Sequence, residues 1–171
     1  MKSVKPYVFM GLMIALEIVM TRFIQIPVTI LPGFEDKVSL GFLPVAMSGA
    51  LFGVGGGTAV AALGDFIRAI ILPQGGAINP LFTLNAAIRG AIYGAVLKKE
   101  TSIPRIFVAN ILILLVNIFI LGSFISISYG TPLPAVIATR IPTSVTNFAV
   151  QTLVLIFVGR PIVRKLDYVR K

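Results

Sequence analysis

Long apolar stretches separated by short segments rich in proline and glycine dominate this chain. Six such stretches occur, at positions 7–24, 38–52, 58–72, 81–97, 106–127 and 135–158. Apolar residues make up 57% of the 171 residues and charged residues only 12%, with a mean hydropathy of +0.98. A soluble domain of this length cannot bury so much apolar surface, whereas lipid accepts it provided that the backbone is paired internally. We therefore expect a single all-α integral membrane domain, residues 1–171, built as a bundle of six transmembrane helices.

The second and third stretches are short for a membrane span. A run of glycines at positions 53–57 separates them and suits a tight reversal of the chain. Either two short helices pack against their neighbours, or the segment 38–72 forms a re-entrant hairpin that does not cross fully. We favour the two helices. The remaining breaker-rich segments, 25–37, 73–80 and 128–134, are expected to be loops.

The distribution of positive charge predicts the orientation in the membrane. Lysine and arginine concentrate at the N-terminus, between positions 98 and 105 and in the C-terminal tail, whereas the three loops just named contain a single lysine and no arginine. Cytoplasmic segments are enriched in these residues. Both termini are therefore expected in the cytoplasm, with the three loops outside, at the mouth of a ligand cavity. We therefore interpret the net charge of +9 as a signal that orients the helices in the membrane, and we expect no nucleic-acid partner.

The residue types that are missing exclude several kinds of chemistry. The chain has no cysteine, histidine or tryptophan, so thiol nucleophiles, imidazole bases and most transition-metal sites cannot be formed. No phosphate-binding glycine motif occurs either. We expect neither an enzyme nor a bound cofactor or metal, and any ATP-driven process must use an ATPase on another chain.

Charged residues within the apolar stretches require a partner or a function. Asp65 and Arg89 lie at matched depth on consecutive predicted helices, about 10–12 Å from the loop end at 1.5 Å per residue. We expect them to form a structural ion pair. Arg22, Arg68 and Arg140 lie nearer the loops with too few acids to neutralise them, which suits an anionic ligand. For Arg22 and Arg68, snorkelling to lipid headgroups is the alternative.

Polar and aromatic residues occur at the same level of the bundle. Together they suit a flat heteroaromatic solute, although each also has an ordinary role in packing or helix capping. The candidate ligand contacts are Phe34, Phe42, Gln74, Asn79, Phe82, Thr83, Phe124 and Tyr129. On the first helix, Gly11 and Ala15 lie four residues apart, a spacing that allows close approach by another helix.

Several motifs resemble the substrate-binding S components of energy-coupling factor (ECF) vitamin transporters, most closely their folate-type branch. These are GFLPVAMSGALFG at positions 41–53, Gly64-Asp65, and LPQGGAINPLFTLNAAIRGAIYG at positions 72–94. Thr21-Arg22-Phe23, Tyr129-Gly130 and Thr139-Arg140 also fit. The likeness extends over most of the chain in order and spacing.

The resemblance implies a six-helix S-component fold in the cytoplasmic membrane of a prokaryote, and a vitamin site beneath the outer loops. It also implies a complex with a transmembrane T component and two ATPases, with Gly11 and Ala15 facing the T component. Folate or a derivative is the expected substrate. The chain departs from the folate-type pattern at residues 121–124 and at Thr143, so another vitamin such as pantothenate stays open. A stand-alone secondary transporter or channel is the alternative outside the family.

Overall fold

Helices account for most of the structure, a computed structural model that describes residues 5–31, 34–71, 80–98, 100–130 and 132–170. The first four helices are α1 (Lys5–Phe23), α2 (Phe42–Phe52), α3 (Val54–Ile71) and α4 (Pro80–Leu97). Helices α5 (Ile103–Leu115) and α6 (Gly122–Tyr129) are joined by a π-helical segment, Val116–Leu121, into one continuous rod. A second π-helical segment, Leu155–Gly159, joins α7 (Leu133–Val154) to α8 (Arg160–Arg170) in the same way. The described chain thus forms six helical rods, as expected.

Five of these rods are long and apolar enough to cross a membrane within the described ranges. The exception is α2, whose 11 residues extend only about 16 Å at 1.5 Å per residue. Residues 42–51 of α2 are all buried, so this helix lies inside the bundle. The expectation of a short buried helix is confirmed for α2 but is wrong for α3, which has 18 residues.

The predicted glycine turn is shorter than expected. Only Gly53 lies between α2 and α3, with a positive φ of 77° that glycine adopts without strain. Gly55, Gly56 and Gly57 instead belong to the first turns of α3. For Gly57 this place has a packing reason, because α3 touches the backbone of α4 at Gly90.

The segment predicted as the first loop is a β-hairpin. Strands β1 (Gln25–Leu31) and β2 (Phe34–Ser39) pair antiparallel, with Gln25 opposite Ser39 and an irregularity between Thr29 and Leu31. Pro27 suggested a loop, but a two-stranded sheet consists of edge strands, where proline is tolerated. The β-branched residues of β1 favour the extended backbone. We call the end of the bundle that carries this sheet the hairpin end.

Close backbone contact between α3 and α4 forms the centre of the fold. A Cβ atom added to Gly57 would collide with the carbonyl oxygen of Gly90, and one added to Gly90 would collide with the carbonyl oxygen of Gly57. Gly49 of α2 approaches the same region, since its Cβ would lie 2.8 Å from the Gly94 nitrogen. Small residues let helices approach closely. Inside lipid the hydrophobic effect does not drive helices together, so dense packing stabilises their contact instead.

A buried polar network ties α4 to the second half of the chain. The Tyr93 hydroxyl donates to Asn110 Oδ1 at 3.0 Å and lies 3.4 Å from Gln151 Oε1. Asn110 Nδ2 in turn donates to Thr152 Oγ1 at 2.9 Å. All four side chains are buried. These bonds connect α4, α5 and α7 far from the hairpin end.

We expect Gly57→Ala to destabilise the protein by about 1–3 kcal/mol, because the added methyl group forces α3 away from Gly90. Thermal unfolding in detergent measures the loss as a lowered Tm. The matched control is Gly55→Ala on the same helix, where a Cβ meets nothing within 4 Å. Equal Tm values for the two variants would show that the close approach contributes nothing to stability.

Candidate functional site

A small polar cavity lies near the hairpin end, between α1, α2, α3 and α4. Its volume is about 80 Å³, and Phe42, Val45, Ala61 and Ala86 form its apolar walls. Its polar lining combines two acids, two arginines and two hydroxyl groups: Glu17, Thr21, Ser39, Asp65, Arg68 and Arg89. Charged groups gathered inside an otherwise apolar bundle mark this cavity as the candidate functional site.

Glu17 is the acid that α1 contributes, and it is 7% exposed. Its Oε1 atom accepts a hydrogen bond of 2.9 Å from Thr21 Oγ1, whereas its Oε2 atom is buried without a partner. Gly64 of α3 leaves room for this carboxylate, since a Cβ there would collide with Glu17 Oε2. Gly41 likewise leaves room for the Thr21 hydroxyl. Glu17 is not among the site residues expected from the sequence, although an acid within an apolar helix is the signal that could have identified it.

The predicted ion pair between Asp65 and Arg89 is wrong. Arg68 Nη2 donates to Asp65 Oδ1, and Thr83 Oγ1 donates to Asp65 Oδ2 at 2.9 Å. Arg68 lies three residues after Asp65 on α3, so its guanidinium reaches the carboxylate without crossing to another helix. Arg89 lines the same cavity, and its Nε atom is buried without a partner. Asp65 and Arg89 therefore lie near each other, as expected, but the partner of Asp65 is Arg68.

The charges around the cavity balance. Glu17 and Asp65 carry two formal negative charges, and Arg68 and Arg89 carry two formal positive charges. Arg68, expected as part of an unpaired positive surplus, is instead paired. In the described part of the chain the ion pairs are Arg68–Asp65 and the weak Arg105–Glu100 contact of 3.9 Å. The other two arginines expected in that surplus are Arg22, which is exposed, and Arg140, which is half-buried in α7.

The other predicted site residues divide into three groups. Phe42 and Arg68 line the cavity, and Thr83 joins it through Asp65. Four residues are described but do not line it: Arg22, Phe82, Phe124 and Arg140. The remaining four predictions lie outside the described residues or side chains: Phe34, Gln74, Asn79 and Tyr129. The described ranges contain no group of three His, Cys, Asp or Glu side chains suited to a metal ion.

Comparison with known proteins places this architecture in a family. Residues 1–164 match the family model described as ECF-type riboflavin transporter, S component. The chain belongs to the S components of ECF transporters. This S component is 34% identical over 157 residues to the folate transporter FolT of Clostridium novyi (strain NT), covering 91% of this chain and 88% of that protein. The resemblance seen in the sequence motifs is confirmed.

Two solved structures share its fold. A crystal structure of FolT bound with folic acid matches with a TM-score of 0.77 and 31% identity, covering 92% of this chain and 93% of the other. A second structure, of the S component of a bacterial ECF transporter, matches with a TM-score of 0.71 over 95% of this chain and 97% of the other. At 22% identity, this second match shows the fold alone. The protein is thus a multi-pass membrane component of a transporter, and family membership confirms that it is not an enzyme.

The ion pair between Arg68 and Asp65 predicts which second substitution restores stability to the Asp65→Ala variant. Asp65→Ala leaves Arg68 without its counter-charge, and we expect a destabilisation of up to about 3 kcal/mol because both side chains are largely buried. Adding Arg68→Leu removes the stranded charge and should restore part of the Tm and the expression level.

The matched control is Asp65→Ala combined with Arg89→Leu, which leaves Arg68 unpaired and should restore less. Thermal unfolding in detergent compares the two double variants directly. A better recovery with Arg89→Leu would contradict the assignment of Arg68 as the partner of Asp65.

Proposed function

We propose that this S component captures folate or a folate derivative from outside a prokaryotic cell for ATP-driven uptake. The observation that carries the proposal is the likeness to FolT, at 34% identity over 91% of this chain, together with the fold shared with FolT bound with folic acid. In the proposed complex, a transmembrane T component and two ATPases complete the importer in the cytoplasmic membrane.

The proposed orientation places both termini in the cytoplasm and the hairpin end outside. Positive charge supports it, since the tail contains Arg160, Arg164 and Lys165, whereas the segments 25–37, 73–80 and 128–134 together contain a single lysine. The connections opposite the hairpin end also meet one another. Lys98 at the end of α4 covers Gly53 between α2 and α3, where a Cβ would lie 2.5 Å from Lys98 Cδ.

The two arginines outside the cavity suit the carboxylates of folate. Arg140 is half-buried in α7, and Arg22 is exposed in the last turn of α1. A guanidinium holds a carboxylate through two parallel hydrogen bonds, and these are strongest where water is partly excluded. Arg140 is accordingly the better candidate for a strong contact. The remaining predicted ligand contacts stay predictions.

Riboflavin is the second candidate, because the family model that matches residues 1–164 carries that description. Riboflavin is an uncharged flat ring system with a polyol tail, so it gives Arg140 no carboxylate to bind. Calorimetric titration of the purified protein with folic acid and with riboflavin decides between them. Stronger binding of riboflavin would overturn the proposal.

Arg140→Ala should weaken folic acid binding by about 30- to 1,000-fold, the equivalent of roughly 2–4 kcal/mol. Arg140→Lys should restore little, because an ammonium group lacks the planar fork of the guanidinium. The matched control is Arg164→Ala, which removes an exposed arginine from α8. An analogue of folic acid without its glutamate carboxylates should bind wild type and Arg140→Ala equally. Unchanged affinity of Arg140→Ala for folic acid would assign Arg140 to membrane topology alone.

The outward face of α1 suits the T component. Gly11 and Ala15 are both exposed, and a Cβ on Gly11 meets nothing within 4 Å, whereas Met13 and Glu17 face the bundle. Residues four apart share one side of a helix, so this exposed stripe leaves a shallow surface against which another helix packs closely.

Gly11→Leu and Ala15→Leu should therefore leave folic acid binding by the isolated protein unchanged and abolish uptake by the assembled transporter. Uptake of labelled folic acid into vesicles that contain the complete complex measures the second effect. The matched control, Ala149→Leu, enlarges an exposed alanine on α7 and should transport normally. Normal uptake with either α1 variant would remove this face from the proposed interface.

A further inference from the structure

Three polar atoms around the cavity have no partner in the protein. They are Glu17 Oε2, Arg68 Nε and Arg89 Nε, all buried. A buried polar group without a hydrogen bond costs about 1–3 kcal/mol, and native structures contain few of them. The side chains that hold these atoms, one acceptor and two donors, all line the cavity.

The charge balance favours an uncharged guest. A carboxylate or a cation entering the cavity would meet both the two acids and the two arginines, so attraction and repulsion largely offset each other. An uncharged guest that carries both N–H donors and carbonyl acceptors satisfies both kinds of atom at once. Heteroaromatic rings with amino and oxo substituents have this pattern along one edge.

The dimensions of the cavity indicate how much of a guest enters. At about 80 Å³ it is well below the roughly 300–1,000 Å³ of sites that enclose a whole ligand. It accommodates the edge of a ring and leaves the rest of the molecule outside. Phe42, which is buried, adds an aromatic wall suited to a flat ring.

We infer that Glu17 is the specificity-determining residue of this S component and that it binds the 2-amino-4-oxopyrimidine edge of a pterin ring. The inference rests on the proposed function. The carboxylate of Glu17 accepts hydrogen bonds from the 2-amino group and the neighbouring ring N–H, and the guanidinium groups of Arg68 and Arg89 donate to the oxo group. The charged tail of the vitamin then lies outside the cavity, where Arg22 and Arg140 provide positive charge.

The same contact discriminates against flavins. The corresponding edge of riboflavin has an oxo group on each side of its ring N–H. A carbonyl oxygen then faces the Glu17 carboxylate at the place where pterin has an amino group. Two acceptors opposed in a partly dry site leave both without a hydrogen bond, and such mismatches discriminate strongly between related ligands.

The test compares two small rings that differ at one position. Pterin has an amino group at position 2, and lumazine has an oxo group there. Each is titrated as a competitor of labelled folic acid on the purified wild type, on Glu17→Gln and on Glu100→Gln. Glu100 is exposed and does not line the cavity, so Glu100→Gln is the matched control.

We expect wild type and Glu100→Gln to prefer pterin over lumazine by at least about tenfold. In Glu17→Gln the new amide donates to the 2-oxo group of lumazine, so the preference should fall to near unity or reverse. The wild-type comparison needs no variant and stays decisive if Glu17→Gln does not fold.

Equal competition by the two rings on wild type, with folic acid bound normally, overturns the role of Glu17 and leaves the proposed function intact. If Glu17→Gln keeps the full preference for pterin over lumazine, the role of Glu17 is likewise overturned and the proposed function stays intact. Failure of wild type to bind folic acid while it binds riboflavin overturns the proposed function, and the inference with it.

Discussion

The cost of placing charge inside lipid constrains this structure more than any other interaction. Glu17, Asp65, Arg68 and Arg89 come from three helices, and all four line one cavity in which their formal charges cancel. An isolated charge inside lipid would cost several kcal/mol. In a balanced group, mutual attraction and hydrogen bonds offset much of that cost. The positions of α1, α3 and α4 at the hairpin end follow from this requirement.

Two different interactions hold the rest of the bundle. Around α2, α3 and α4 the helices touch backbone to backbone, because Gly49, Gly57, Gly90 and Gly94 have no side chains to separate them. Between α4, α5 and α7 the link is polar, and it passes through Tyr93, which is completely buried. Helix α4 belongs to both groups, so one helix connects the tightly packed first half of the chain to the hydrogen-bonded second half. Neither interaction depends on the hydrophobic effect, which lipid does not provide between helices.

The site combines balanced and unbalanced charge in separate places. The formal charges that line the cavity cancel, and three of its lining residues hold unpartnered polar atoms, while Arg22 and Arg140 lie outside it. A molecule with a neutral heteroaromatic end and an anionic end matches this division, which is consistent with the proposed folate ligand. Exposed apolar side chains such as Val8, Leu63 and Phe157 face away from the site, where lipid covers them.

The sequence alone determined the class of the protein. Apolar stretches of membrane-spanning length, interrupted by proline and glycine, permit only helices in lipid, and the motifs around Gly64-Asp65 and Thr83 identified the family. It also predicted Phe42, Arg68 and Thr83, which lie at or next to the candidate cavity, and the proximity of Asp65 and Arg89, which line it together. These features depend on order and spacing along one chain.

Tertiary structure decided the β-hairpin, the length of α3, the partner of Asp65 and the entry of Glu17 into the site. Each of these depends on which groups meet across different helices: Gly64 makes room for Glu17 only because α1 and α3 are adjacent, and periodicity within a single helix does not encode that contact.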